Sequence, residues 1–241
     1  MRFSWLSFLI LVLFAHAGLI YIIFFGSLIQ LCVSVVIFAF ECSFASTAIY
    51  HRLLSHRSWN ATRRVEVIGT IIGIFTFTGT SLTRTLSHRY HHMYADTELD
   101  PHSPRVLGLF KTYLPMLITN RRLDLKYVSD LIRDPVHRFI HRYYFMIIFA
   151  VLLIAVMLFG WTWGISIVIA PGALCWMNIS LCNILCHMGK DDSPIINNKL
   201  IAILTFGEGL HKNHHDQPDQ AYFGGGLYDI GYLWIRFFDR N

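Results

Sequence analysis

Charge is scarce in this chain. Asp, Glu, Lys and Arg make up 15% of its 241 residues, while 54% are hydrophobic. An ordinary soluble domain carries about 25% charged residues, so a surface that faces water on all sides is excluded. Cysteine is sparse as well. Cys32, Cys42, Cys175, Cys182 and Cys186 all lie in apolar stretches, with neither metal-finger nor secreted-disulfide spacing. That pattern excludes a disulfide scaffold and predicts five reduced, buried, small apolar residues. The chain has no internal repeat, low-complexity tract or flexible linker, which argues against a string of domains. It also lacks a GxGxxG fingerprint and a haem-binding segment, so it carries no redox cofactor site of a familiar soluble kind.

Long apolar runs are what the sequence has in their place. A membrane-spanning helix needs about 20 apolar residues. Trp5 to Phe25 supplies one and Leu28 to Tyr50 a second, with Glu41 inside it and only Gly26-Ser27 between the two. Tyr143 to Gly160 and Trp163 to Cys186 supply two more, the last interrupted by Pro171-Gly172, which predicts a kink or break. The first run is too long for a signal peptide, and a second apolar run follows almost at once. It begins almost at Met1, so no N-terminal extension is expected. The apolar run Val65 to Gly79 is short, contains Glu66, and is expected to lie on the membrane surface or against the helices.

The net charge is +5, which could suit nucleic acid, but the basic residues sit between the apolar runs. Segment 51–142 is dense in them, including Arg52, Arg57, Arg63, Arg64, Arg121, Arg122, Lys126, Arg133, Arg138 and Arg142. The C-terminal segment adds Lys190, Lys199, Lys212 and Arg236. The links at Gly26-Ser27 and Gly160–Gly164 carry no charge, and Trp161 and Trp163 flank the second as an interfacial belt would. The positive-inside rule then predicts a multi-pass protein with both termini, and the segments 51–142 and 187–241, in the cytosol. The expected fold is all-α: a four-helix membrane stem under a cytosolic helical cap, as one domain over residues 1–241.

Thirteen histidines are present, and their placement carries the chemistry. His51 and His56 form HRLLSH; His88, His91 and His92 form HRYHH; His211, His214 and His215 form HKNHH; His187 ends NILCH. All nine fall on the predicted cytosolic side or its boundary. On a helix, positions i, i+3 and i+4 share a face, so each HxxHH box offers three imidazoles to one side. One zinc is satisfied by four ligands, so eight or nine imidazoles imply two metals. Metal-bound histidines donate their second N–H to a carboxylate or carbonyl. Asp96, Glu98 and Asp100 follow one box, and Glu208 and Asp216 bracket another; these are the candidates to orient the rings. His16, His102, His137 and His141 lack clustering. His16 is expected to be hydrogen-bonded within the stem, His102 to be structural, and His137 with His141 to form a basic interfacial face.

The stretches HRLLSHRSW, HRYHHMYADTELDPH, DLIRDPVHRFIHRYYF, NILCH and GEGLHKNHH resemble, in this order, the membrane fatty acid desaturases, especially the stearoyl-CoA and acyl-lipid delta-9 types. The resemblance covers most of the chain. It implies two iron ions held by His51, His56, His88, His91, His92, His187, His211, His214 and His215, with Asn183 reaching a metal through water. It further implies reduction of O2 and removal of two hydrogens from adjacent methylenes of a CoA- or lipid-linked acyl chain, leaving a cis double bond at a delta-9-like position. Two electrons must then come from a separate donor of ferredoxin or cytochrome b5 type, and an acidic one would suit the basic cap. Membrane lipid is the other implied partner. Members from animals carry tryptophan four residues before the second box, where this chain has Arg84. Glu41 is a second departure, because a carboxylate within a span is costly and often functional. A membrane hydroxylase uses similar boxes and is the nearest alternative; a metal transporter or sensor would need polar ligands along the spans, which stay mostly apolar.

Overall fold

The structure, a computed structural model, describes residues 5–114 and 123–240. Arg121 and Arg122 of the basic segment lie outside the described residues. Helix α1 (Trp5–Phe25) turns through Gly26-Ser27 into α2 (Leu28–Phe40). A capping box starts α2: Ser27 Oγ accepts from Gln30 N at 3.2 Å, and Gln30 Oε1 accepts from Ser27 N at 2.8 Å. The helix then continues without a break as a π-helical stretch, Glu41–Ser55. The second apolar helix therefore runs from Leu28 to Ser55, five residues beyond the expected end at Tyr50. His51 rides on that rigid extension instead of opening a loop.

Helix α3 (Arg63–Ile72) and a short 3-10 turn, Gly73–Thr76, pack on the π stretch, with Gly69 against Ile49 and Gly73 against Tyr50. The chain then bends by 84° into α4 (Ser81–Tyr94), so the run Val65 to Gly79 lies against its neighbours as expected. Phe77 and Gly79 take left-handed φ of 55° and 101° at the bend. Thr80 caps α4, accepting from Thr83 N at 3.2 Å. Short helices α5 (Pro104–Leu107), α6 (Leu109–Tyr113) and α7 (Ser129–Arg133) follow. After them come α8 (Pro135–Phe159), α9 (Trp161–Gly164), a π turn at Ile165–Ile169 and α10 (Ala170–Cys186). The cap closes with α11 (Lys199–Leu204), α12 (His211–Asp216) and α13 (Ile230–Phe238). Among the described residues there is no strand, only two isolated bridges.

Two spans start earlier than the sequence suggested. Helix α8 begins at Pro135, where Asp134 Oδ1 accepts from Val136 N at 2.8 Å and proline occupies the first turn. This pulls His137 and His141 out of the expected basic interfacial face. His137 is buried; Ser81 Oγ donates to its Nδ1 at 2.8 Å, and its Nε2 donates to Glu66 Oε1 at 3.2 Å. His141 Nδ1 pairs with Thr80 Oγ1 at 2.9 Å. Together they pin the start of α4 to α8. The fourth span runs from Trp161 to Cys186 without a break. Pro171 follows directly on the π turn Ile165–Ile169, whose wider winding accommodates the missing N–H inside the continuous helix.

Among the described residues, four helices are long and apolar enough to cross a membrane: Leu6–Phe25, Leu28–Ser55, Pro135–Phe159 and Trp161–Cys186. Their inner faces interlock. Phe8, Val12, Ala15, Leu19 and Ile22 of α1 recur at helical spacing and join Tyr144 and Ile148 of α8 and Ile169, Ala173 and Trp176 near α10 in one cluster. The outer faces are apolar too, with Leu6, Ile10, Leu13 and Phe24 of α1 and Met146, Phe149, Leu153 and Met157 of α8 exposed. A helix that is apolar all round belongs in lipid. Cys32 lies on such an outward face and is exposed, against the expectation that every cysteine is buried; the other four are buried. His16 matches its expectation: Nδ1 donates to Val12 O at 2.7 Å and Nε2 accepts from Tyr113 Oη at 2.6 Å.

Gly172 is required by a close approach. A Cβ there would stand 2.3 Å from Phe77 Cδ2 and 2.7 Å from Phe75 O. Gly172→Ala should therefore cost about 1–3 kcal/mol by overpacking, read as an earlier unfolding midpoint in detergent. An unchanged midpoint would show that Phe77 can move aside.

Candidate metal centre

Each cluster of histidines sits where a helix ends at the cap. His51 comes from the last turns of the π stretch and His56 from the residue that caps it. His88, His91 and His92 occupy the second half of α4, His187 caps the end of α10, and α12 is little more than the HKNHH box itself. The nine rings meet, but in two groups. His51, His56, His88, His92 and His214 form one and His91, His187, His211 and His215 the other, with the ligand atoms within each group all within 4.8 Å of one another.

The division corrects the expectation of three rings per box on one side. In each box the i and i+4 histidines enter one group and the i+3 histidine enters the other. Successive residues on a helix point about 100° apart, so adjacent histidines cannot serve one ion. His91 and His92, like His214 and His215, diverge to different groups. The groups still adjoin, because the rings of His92 and His215 stack at 4.2 Å.

The nitrogens face one another. His51 Nε2 lies 3.0 Å from His214 Nε2, and His214 Nε2 lies 2.8 Å from His92 Nε2. His56 Nε2 is 2.7 Å from His88 Nε2. In the other group His187 Nε2 is 3.0 Å from His211 Nε2, which is 3.2 Å from His215 Nε2. Three rings are oriented from behind. His51 Nδ1 meets Glu208 Oε2 at 2.6 Å, His91 Nδ1 meets Asp100 Oδ2 at 2.8 Å, and His187 Nδ1 meets Asp96 Oδ2 at 3.0 Å. Each carboxylate accepts a hydrogen bond from the Nδ1–H, so each of these rings turns its Nε2 inward. Burial, followed by the surrounding imidazoles, pushes His211, His214 and His215 well below the usual imidazole range. Neutral imidazoles with opposed lone pairs repel unless a cation sits among them. The donor set and its convergence thus fit transition-metal ions.

The carboxylates are themselves held. Asp96 Oδ1 accepts from Ser103 Oγ at 2.6 Å, and Asp100 accepts from the backbone of Asp96 and His102 at 2.9 Å each. Burial raises the Glu208 carboxyl, but His51 and Arg52 outweigh it and hold it down at about 2. Of the other candidates, Glu98 is exposed, and Asp216 pairs with Lys212 at the surface at 2.6 Å. Asn183 donates its Nδ2 to His102 O at 2.8 Å. The His102 ring lies 4.6 Å from that of His91, tilted by 31°, and its Nδ1 pairs with Ser87 Oγ at 3.2 Å. Glu41 is buried beneath the site, and its Oε2 has no hydrogen-bond partner among the described residues.

Two arginines next to histidines were missed by the sequence reading. Arg52 is buried between Glu208 and Asp229. Arg89 donates to Leu54 O and Ser55 O at 2.6 and 3.0 Å, closing the end of the long second helix, and pairs with Asp130 at 3.0 Å. The available signal was a cation held inside each histidine box, HRLLSH and HRYHH, where a solvent role is hard to arrange. Asp96→Asn tests the support of His187. Metal retention against a chelator should fall about 10–100-fold, with the unfolding midpoint of the metal-free chain little changed.

The fatty acid desaturase family profile matches residues 27–224. The acyl-CoA 5-desaturase AL21 of Anemone leveillei is 31% identical over 79% of this chain and 62% of its own length. A probable chloroplastic lipid desaturase of Arabidopsis thaliana is 33% identical over 80% of this chain and 56% of its own length. The sn-1 stearoyl-lipid 9-desaturase of Anabaena variabilis is 28% identical over 77% of this chain and 71% of its own length. The chain thus spans less than two thirds of the first two relatives. With the histidine boxes and three of the four apolar helices inside the matched stretch, the chain belongs to the fatty acid desaturase family.

Proposed function

We propose that this protein is a multi-pass membrane desaturase that places a cis double bond, delta-9-like in position, in a CoA- or lipid-linked acyl chain. The observation that carries the reading is the convergence of nine histidine nitrogens in two adjoining groups where four apolar helices meet the cap. The proposed ligands are His51, His56, His88, His92 and His214 for one iron ion and His91, His187, His211 and His215 for the other. When bound, the two irons would supply reduction of O2 and the oxidising power to take hydrogens from adjacent methylenes.

The residues of the chain do the rest. Glu208, Asp100 and Asp96 fix three rings and direct their Nε2 atoms inward. Close packing around the rings excludes water and limits side reactions. The apolar stem receives the acyl chain, with the cap and both termini on the cytosolic side. Two electrons come from a separate donor of ferredoxin or cytochrome b5 type. Relatives named for positions 5 and 9 support an acyl substrate.

The test is expression in a host lacking its own desaturase, with mass spectrometry of the total lipid. A new cis double bond is the expected product. A hydroxylated chain would favour the hydroxylase reading, and unchanged lipid with iron bound and a reduced donor present would overturn the proposal.

A further inference from the structure

Arg84 has no visible reason to be where it is. It lies on α4 four residues before His88 and seven before His91, which puts all three on one face of the helix. The offset from His88 is one turn, about 6 Å along the axis toward the stem. The side chain is half-buried, with Glu208, Cys42 and Cys182 within electrostatic reach of its guanidinium.

Among the described residues, no carboxylate, carbonyl or hydroxyl makes a hydrogen bond or ion pair with it. The acid within reach is spent: Glu208 gives Oε2 to His51 at 2.6 Å and Oε1 to Arg52 at 3.1 Å. The neighbouring Thr85 is fully buried, and its Oγ1 lacks a partner as well. A half-buried guanidinium without a protein partner keeps its donors for water or a ligand, and a packing role would be better served by an apolar side chain. The chain keeps five N–H donors beside the histidine groups with nothing of its own to receive them.

We propose that Arg84 is a specificity-determining residue whose guanidinium hydrogen-bonds an oxygen acceptor on the acyl substrate. The proposal rests on the acyl-substrate reading above and adds that the bound chain is not purely hydrocarbon where it passes α4. Two sources offer the same chemistry: the carbonyl of the acyl ester, or a hydroxyl carried on the chain itself. Arg84 fixes the distance between that oxygen and the oxidised carbons, because both are referred to the same rigid helix.

Equilibrium binding to the purified full-length chain in detergent tests this. The probes are octadecane, methyl stearate and a series of methyl monohydroxystearates. If the carbonyl is the acceptor, methyl stearate should bind about tenfold or more tightly than octadecane, as expected for one hydrogen bond to a charged donor. If a chain hydroxyl is the acceptor, one hydroxystearate should exceed methyl stearate by a similar factor. Arg84→Met should erase that ratio and Arg84→Lys should keep part of it. Absence of either ratio in the wild-type protein overturns the proposal, and so does a ratio that survives in Arg84→Met. Should Arg84→Met fail to fold, Arg84→Lys decides: a ratio reduced at an unchanged midpoint supports the proposal, and a ratio left unchanged overturns it. Binding needs no turnover, so a protein that shows the ratio but makes no double bond sinks the desaturase reading and leaves this one standing.

Discussion

His214→Ala is expected to abolish product and to remove bound iron while the helices still assemble. The ring stands at the centre of its group, with its Nε2 3.0 Å from that of His51 and 2.8 Å from that of His92. Losing a residue that only orients a ligand costs about 10–100-fold in metal affinity or activity, and losing the ligand itself should cost more. The space left behind lies among polar rings, so the apolar packing of the stem should be untouched. Product by mass spectrometry and metal content by elemental analysis check both halves. Retained iron and product would show that the ring is a bystander. His211→Ala, in the other group, should give the same loss; if only one of the two variants loses activity, a two-ion centre is the wrong description.

The histidine boxes were legible because their information is local. Spacing of three and four along a helix states which rings share a face, and the runs that carry those helices are long and apolar. What the spacing could not state is that the i+3 ring leaves the other two, since that depends on where the facing box stands. His91 and His215 meet at 3.3 Å although 124 residues separate them. The ends of the spans were misjudged for a related reason. Polar residues at 51–55 and 135–142 looked like loop, but His51, Arg52 and His137 are polar side chains satisfied by partners elsewhere in the fold. Hydropathy marks where lipid begins and says little about where a helix ends. Asp96, Asp100 and Glu208 could be named as candidates from proximity in sequence, while Glu98 and Asp216, equally near, face outward.

Arg52→Met should be the most destabilising single change. The side chain is fully buried. Its Nη1 donates to Ala221 O at 2.8 Å and Asp229 Oδ2 at 3.2 Å; its Nη2 donates to Asp229 Oδ1 at 2.8 Å and Glu208 Oε1 at 3.1 Å. The guanidinium also lies 3.9 Å over the ring of Phe223. It therefore ties the end of the second span to the C-terminal part of the cap, and through Glu208 to the ring of His51. Removing one partner of a buried pair leaves the other charge uncompensated, at a cost of about 3–5 kcal/mol. The charge left behind is chiefly that of Asp229, which is 0% exposed and already lifted above the ordinary carboxylate range by burial, despite Arg52. Without Arg52 it should rise further. A carboxyl whose folded pKa is raised contributes stability that is present below the unfolded pKa and lost as pH rises through the folded value. The penalty of Arg52→Met should thus be larger at about pH 8 than at about pH 5, whereas loss of a simple surface pair would cost nearly the same at both. Arg52→Met with Asp229→Asn should recover part of the loss at the higher pH, because the second change removes the stranded charge. Unfolding midpoints in detergent at the two pH values measure all three. A penalty under about 1 kcal/mol, or one independent of pH, would mean that Asp229 finds another partner and that the keystone of the cap lies elsewhere.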